Sequence, residues 1–309
     1  MIVLVSGGCK NGKSSFAQQL ACSLSASGRR YYLATMLPSD DEDDARILRH
    51  IQDRAGLHFE TVEQGTQILR CLEQLDPSGT VLLDSLTALL ANEMFAAAVP
   101  DTGAAARVIK ELELFARYFE HGNVVFVSDS IASDALSYEM LTEQYRASLA
   151  ACERGLAALS DIVVEMCAGK AVVHKGRTLW PSLPEAEKEE CRVELIIGGA
   201  CQGKLSYAKR HFDLKEEDIF VCTRDAEADF SKRCIAHLEN YVYFCLKAGK
   251  EPQDSFAPQS ILICDDIFCG VVPLDAFERA WREKTGRYLQ KLARSARLSR
   301  IFCGLAYTF

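Results

Sequence analysis

Short, continuous apolar runs alternate along the first half of the chain with longer stretches whose apolar positions recur every three to four residues. The runs Ile2–Val5, Tyr31–Ala34, Val81–Leu83, Val124–Val127 and Ile162–Val164 read as strands. None alternates with polar residues, which is the pattern of a parallel sheet covered on both faces. The intervening stretches Lys13–Leu24, Asp44–Arg54, Leu86–Ala97, Ala104–Tyr118 and Tyr138–Leu159 read as helices. Strand followed by helix, repeated, predicts right-handed βαβ units in an α/β fold with a mainly parallel sheet and helices on both faces.

A break follows at Trp180–Cys191, WPSLPEAEKEEC, where two prolines and a run of acids read as a linker. The alternation then restarts with strands at Glu194–Ile197, Ile219–Cys222, Ile261–Cys264 and Ile301–Cys303. Helices are expected at Lys204–His211, Ala226–Leu246 and Leu274–Ala296. The pattern predicts one domain over residues 1–180 and a second, smaller and related α/β module over 192–309. The restart reads as an internal repeat. Val3–Ala17 (VLVSGGCKNGKSSFA) aligns without gaps on Glu194–Ala208 (ELIIGGACQGKLSYA), and both carry GG-x3-GK after an apolar strand. Arg46 and His50 follow the first loop at about the distance at which Arg233 and His237 follow the second.

Composition narrows the partners. A net charge of −8 argues against a nucleic-acid partner, which favours a basic face. Thirteen cysteines, odd in number and without any CxxC, read as small core residues in a reducing compartment rather than as disulfides or zinc ligands. No apolar stretch approaches the roughly 20 residues of a membrane span, and no signal peptide is visible, so the expected location is cytoplasmic.

The chemistry concentrates near the start. Gly7-Gly8-Cys9-Lys10-Asn11-Gly12-Lys13-Ser14 matches G-x4-GK-[ST] and sits between a strand and a helix, the context that a phosphate-binding loop requires. Glycines let the backbone curl so that its N–H groups face phosphate oxygens, and the next helix adds its positive end. Lys13 is expected to bridge the β- and γ-phosphates, and Ser14 to ligate Mg2+. Asp84, closing the run Val81–Leu83, is the second expected metal ligand; a helix N-cap is the alternative and compatible role. Arg46, His50 and Arg54 recur every four residues and so share a helix face. Two arginines around an imidazole suit phosphate binding and attack on phosphorus.

With these residues in place, the first module resembles the bifunctional adenosylcobinamide kinase / adenosylcobinamide-phosphate guanylyltransferase family of cobalamin biosynthesis, a P-loop (RecA-like) fold. The resemblance rests on GGCKNGKSS, YYLATM (Tyr31–Met36), DDEDDARILRH followed by Arg54, TVE (Thr61–Glu63) and LLDSLTALLANEMF (Leu82–Phe95). It implies that the hydroxyl of adenosylcobinamide takes the γ-phosphate of ATP or GTP. His50 then attacks the α-phosphate of GTP, and the cobinamide phosphate displaces the guanylyl group. It further implies nucleotide contacts from Gly7–Ser14, from Ala34, Thr35 and Met36, from Ile51, Gln52, Asp53 and Arg54, and from Glu63 and Asp84. The family's oligomers make a homo-oligomer or an internal pseudo-oligomer an expectation here.

The departures are specific. After Val127 the chain reads SDSIASDALSYEML, without the family's Asn-Glu and Gly-x-Gly-Ile-Val-Pro, and Glu153 replaces an asparagine. The second module restores Asp265-Asp266 and Gly270–Pro273, then Thr285–Gln290, but its loop ends Gly203-Lys204-Leu205, and leucine cannot ligate Mg2+. Two other readings stay open: a catalytically impaired nucleotide-binding tandem protein, and a P-loop kinase or NTPase with another acceptor.

Overall fold

The computed structural model describes residues 1–25, 28–38, 47–48, 51–52, 54–132, 136, 138–180 and 193–308. The expected linker from Pro181 onward lies outside the described residues. The chain divides into two compact units. The first comprises Met1–Gly7, Gly12–Met166 and Ala171–Leu183; the second comprises Gly8–Asn11, Cys167–Lys170 and Pro184–Phe309.

The first unit is built on a seven-stranded sheet of order β3-β2-β4-β5-β1-β6-β7. Its strands are β1 (Ile2–Gly7), β2 (Arg30–Ala34), β3 (Glu60–Glu63), β4 (Thr80–Asp84), β5 (Asn123–Val127), β6 (Ile162–Cys167) and β7 (Lys170–Lys175). β1 lies parallel to β5 on one side and to β6 on the other, and β4 and β2 extend the parallel set. Both faces of β5 are covered, which explains its unbroken apolar run. Val125 and Val127 join Val3, Val5 and the α1 residues Ala17, Leu20 and Ala21 in one core, α1 being Lys13–Leu24. On the other face, the Phe126 ring lies 6.5 Å from that of Phe115 in α3 (Ala104–Tyr118). Two more helices complete the unit: α2 (Leu86–Phe95), capped by the Ser85 hydroxyl, which accepts from Ala88 N–H, and α4 (Met140–Leu159).

The second unit holds a six-stranded sheet of order β13-β12-β8-β11-β10-β9. Its elements are β8 (Val193–Gly198), α5 (Lys204–His211), β9 (Ile219–Val221), β10 (Cys234–Ala236), α6 (Leu238–Lys247), β11 (Ile261–Asp265), α7 (Ala276–Leu292), β12 (Ala296–Phe302) and β13 (Leu305–Thr308). All pairs are parallel except β12–β13. Its core takes Leu195, Leu262, Leu289 and Leu298 with the buried thiols Cys222, Cys245 and Cys264.

One expected helix is corrected. Residues 226–246 do not form a single helix: Cys234-Ile235-Ala236 are fully buried and pair as a strand, and His237, at φ 58, breaks the chain before α6 begins. Arg233 and His237 therefore flank a strand instead of sharing a helical face, unlike the reading that set them beside Arg46 and His50. The helix expected over 274–296 is shorter, because Asp275 caps it and Ala296 already belongs to β12. Read from their ends, β7-β6-β1-β5-β4-β2-β3 and β13-β12-β8-β11-β10-β9 follow one strand order, with nothing in the place of β3.

Candidate nucleotide site

β1 delivers the glycine loop from the middle of its sheet. Gly7 sits at φ 149, and a Cβ there would meet the Met166 carbonyl oxygen at 2.7 Å, so only glycine fits. Lys10 at φ 59 and Gly12 at φ 84 turn the backbone into the left-handed region before α1 starts at Lys13. Alternation of this kind makes a concavity of N–H groups suited to an anion, backed by the positive end of a helix of 12 residues.

Lys13 is only 6% exposed, and its ammonium lies 2.7 Å from Asp129 Oδ1. Asp129 stands two residues past β5, the neighbour of β1, and is held there locally. Its N–H donates to the Thr87 hydroxyl at 2.9 Å, and the next residue, Ser130, donates its N–H to the Gly7 carbonyl at 2.9 Å. Behind them Ser6 donates its hydroxyl to Glu153 Oε1 at 2.8 Å. Burial pushes the Glu153 carboxyl above the usual carboxylate range, with the Asp129 charge adding to the shift. Sequence reasoning did not select Asp129. The available signal was an acid just beyond a central strand, but its relation to Lys13 exists only through the strand order.

The other expected residues gather at the ends of β2, β3 and β4. Asp84 closes β4 in register with Ala34 and Val127, and its carboxylate accepts from the Tyr32 hydroxyl at 2.9 Å. Arg54 lies over the Tyr32 ring at 4.2 Å and donates to the Thr61 hydroxyl at 3.1 Å. Arg54, Tyr32 and Asp84 thus form one connected row. Glu63 is exposed at the end of β3, opposite Ala34. Thr35 is buried and fully used inside the protein: its hydroxyl donates to Ser85 O at 2.7 Å and accepts from Ser85 N–H at 2.8 Å. Its carbonyl accepts from Asn92 Nδ2 at 2.7 Å. Met36 is half-buried, while Ile51 and Gln52 are helical and exposed. Ser14 is half-buried in the first turn of α1. Arg46, His50 and Asp53 lie outside the described residues.

The glycine loop of the second unit has the same local form. Cys201 and Gly203 have φ 60 and 88, Lys204 opens α5 at 6% exposure, and its ammonium lies 2.7 Å from Asp265 Oδ1. Leu205 stands where the first loop has Ser14.

A family model described as cobinamide kinase / cobinamide phosphate guanyltransferase, CobU, matches residues 3–173, from β1 into β7. The chain belongs to the CobU family. The bifunctional adenosylcobalamin biosynthesis protein CobU of Escherichia coli K12 is 35% identical over 96 residues, which is 31% of this chain and 51% of that protein. Its namesake in Salmonella typhimurium LT2 is 33% identical over 97 residues, again 31% and 51%. The chain spans about half the length of the curated CobU relatives it matches. Among solved structures, the flagellar accessory protein FlaH of Methanocaldococcus jannaschii aligns over 56% of this chain and 77% of its own, at 16% identity and a TM-score of 0.30. No helix among the described residues is long and apolar enough to cross a membrane.

Proposed function

We propose that the first unit is a kinase and guanylyltransferase acting on adenosylcobinamide, with GTP or ATP as phosphate donors. The observation that carries this reading is the glycine loop with Lys13 at its mouth, in a chain whose family match also spans His50. In the first reaction the substrate hydroxyl attacks the γ-phosphorus, the bond to the β-phosphate oxygen breaks, and the nucleoside diphosphate leaves. Lys13 and the loop N–H groups stabilise the charge that develops. In the second, the His50 imidazole attacks the α-phosphorus of GTP and pyrophosphate leaves; the cobinamide phosphate then attacks, breaking the P–N bond and freeing the imidazole. Arg54, fixed on Tyr32, would orient phosphate, and Thr35 braces the end of β2 against the start of α2.

The hydroxyl of Ser14 and the carboxylates of Asp84 and Asp129 are hard oxygen donors of the kind Mg2+ prefers. These residues would hold it, and bound there it would neutralise charge on the phosphates.

We read the second unit as a shortened copy of the first. The shared strand order and the matched Lys13–Asp129 and Lys204–Asp265 pairs support that reading. Leu205 removes the metal-binding hydroxyl, so the chemistry is assigned to the first unit alone.

The test is incubation with GTP labelled at the α-phosphate and, in a parallel reaction with adenosylcobinamide present, with GTP labelled at the γ-phosphate. The α-label should become covalently attached in the wild type and be absent from His50→Ala. Attachment of γ-label to the acceptor with no α-label on the protein would leave a kinase only, and a protein that takes neither label would be a binding module.

A further inference from the structure

The described residues hold one group of three metal-ligating side chains, and it lies at the carboxyl end of the second sheet. His237 follows β10, Glu239 sits in the first turn of α6, and Asp265 ends β11. None falls within the family match, which ends at residue 173. One ligand atom from each lies within 4.8 Å of the others. His237 Nδ1 is 2.9 Å from Glu239 Oε1 and 3.9 Å from Asp265 Oδ2.

The remaining oxygens of both carboxylates are already anchored. Glu239 Oε2 accepts the Asp265 N–H at 2.9 Å, and Asp265 Oδ1 pairs with Lys204 at 2.7 Å. Each acid thus turns one oxygen toward a common point while its other oxygen is fixed, the arrangement by which outer contacts orient metal ligands. We propose that His237, Glu239 and Asp265 bind a divalent transition cation through Nδ1, Oε1 and Oδ2, leaving a fourth position for water or an anion.

The geometry is close to what such an ion needs. Bonds of about 2.1 Å in a tetrahedral site set ligand atoms about 3.4 Å apart. The separations of 2.9 and 3.9 Å lie on either side of that value and the third is at most 4.8 Å, so side-chain shifts of about 1 Å bring all three ligands to one ion. The charges agree as well. The Glu239 side chain is 5% exposed with its Oε1 on the His237 ring, while the Lys204 ammonium pairs with Asp265. A buried carboxylate needs a positive partner, and a cation at the common point would serve Glu239 and Asp265 together while the His237 ring ligates it as a neutral imidazole. An imidazole nitrogen with two carboxylate oxygens suits Zn2+, Co2+ or Mn2+ better than a thiol-seeking ion.

Cobalt(II) tests this in the full chain without nucleotide, because its visible bands report nitrogen and oxygen ligation and its thiolate charge-transfer bands would expose binding at Cys201 or Cys303. One equivalent should bind without a thiolate band. His237→Gly should weaken binding at least tenfold, and glycine adopts φ 58 without strain, so this variant keeps the backbone. Glu239→Gln, which retains an oxygen acceptor for the Asp265 N–H, should weaken it to a similar extent. Absence of uptake by the wild type, a thiolate band, or equal affinity in His237→Gly would overturn the assignment.

Discussion

An ammonium group 6% exposed requires a counter-charge, and Asp129 supplies it to Lys13. Asp129→Ala should cost on the order of 3 kcal/mol in urea unfolding, because it removes a carboxylate 2.7 Å from a nearly buried ammonium. Triphosphate oxygens can take over the missing carboxylate, so GTP should raise the stability of the variant more than that of the wild type. Equal nucleotide-induced shifts in the two proteins would show that phosphate does not meet Lys13. Glu153 makes a prediction of opposite kind. Burial favours its neutral form, so its contribution to stability is complete below the usual 4.5 and declines as pH rises through the raised value. Glu153→Gln should therefore flatten the fall of the melting temperature from about pH 4.5 upward. A profile unchanged from the wild type would mean that the carboxyl titrates as if exposed. The glycine loop was legible in the sequence because its spacing is local. Asp129 was not, because nothing local ties it to a lysine more than a hundred positions earlier.

At the scale of elements, the join between β2 and α2 depends on Thr35, whose hydroxyl serves both backbone groups of Ser85. Thr35→Val strands the Ser85 N–H, while the Ser85 carbonyl keeps the Leu89 N–H at 3.1 Å, and should cost about 2 kcal/mol. The loosened end of β2 should raise the GTP concentration needed for half-maximal labelling while leaving the final extent of labelling unchanged. A lowered plateau at saturating GTP would instead place Thr35 in the chemical step. Among elements, hydropathy found most strands, the edge strand β9 included, and missed β3, β7, β13 and the buried β10. β3 reads Glu-Thr-Val-Glu with only Val62 buried, while β7 (Lys-Ala-Val-Val-His-Lys) and β13 (Leu-Ala-Tyr-Thr) hold apolar runs of only three residues and no fully buried side chain. The false helix over 226–246 arose where three buried residues of β10 fell by chance within a helical period.

Over the whole molecule, one strand order appears in both sheets, yet only the first loop keeps a hydroxyl after its lysine. His237 follows β10, whereas His50 falls in the sequence between β2 and β3, so the two histidines do not correspond in the strand order. Intact-mass measurement after incubation with GTP should therefore find a single added guanylyl group per chain, and none in His50→Ala. A second adduct, or one surviving that substitution, would contradict the assignment of the chemistry to the first unit. The central place of β1, flanked on both sides by parallel partners, carries one more consequence. A loop issuing from an interior strand, two strands in from the nearer edge, is not released by fraying of the sheet margin, since opening starts at the outer strands. The curvature of the loop is thus set by the sheet, and any adjustment that a bound ligand demands falls to the segments that surround it.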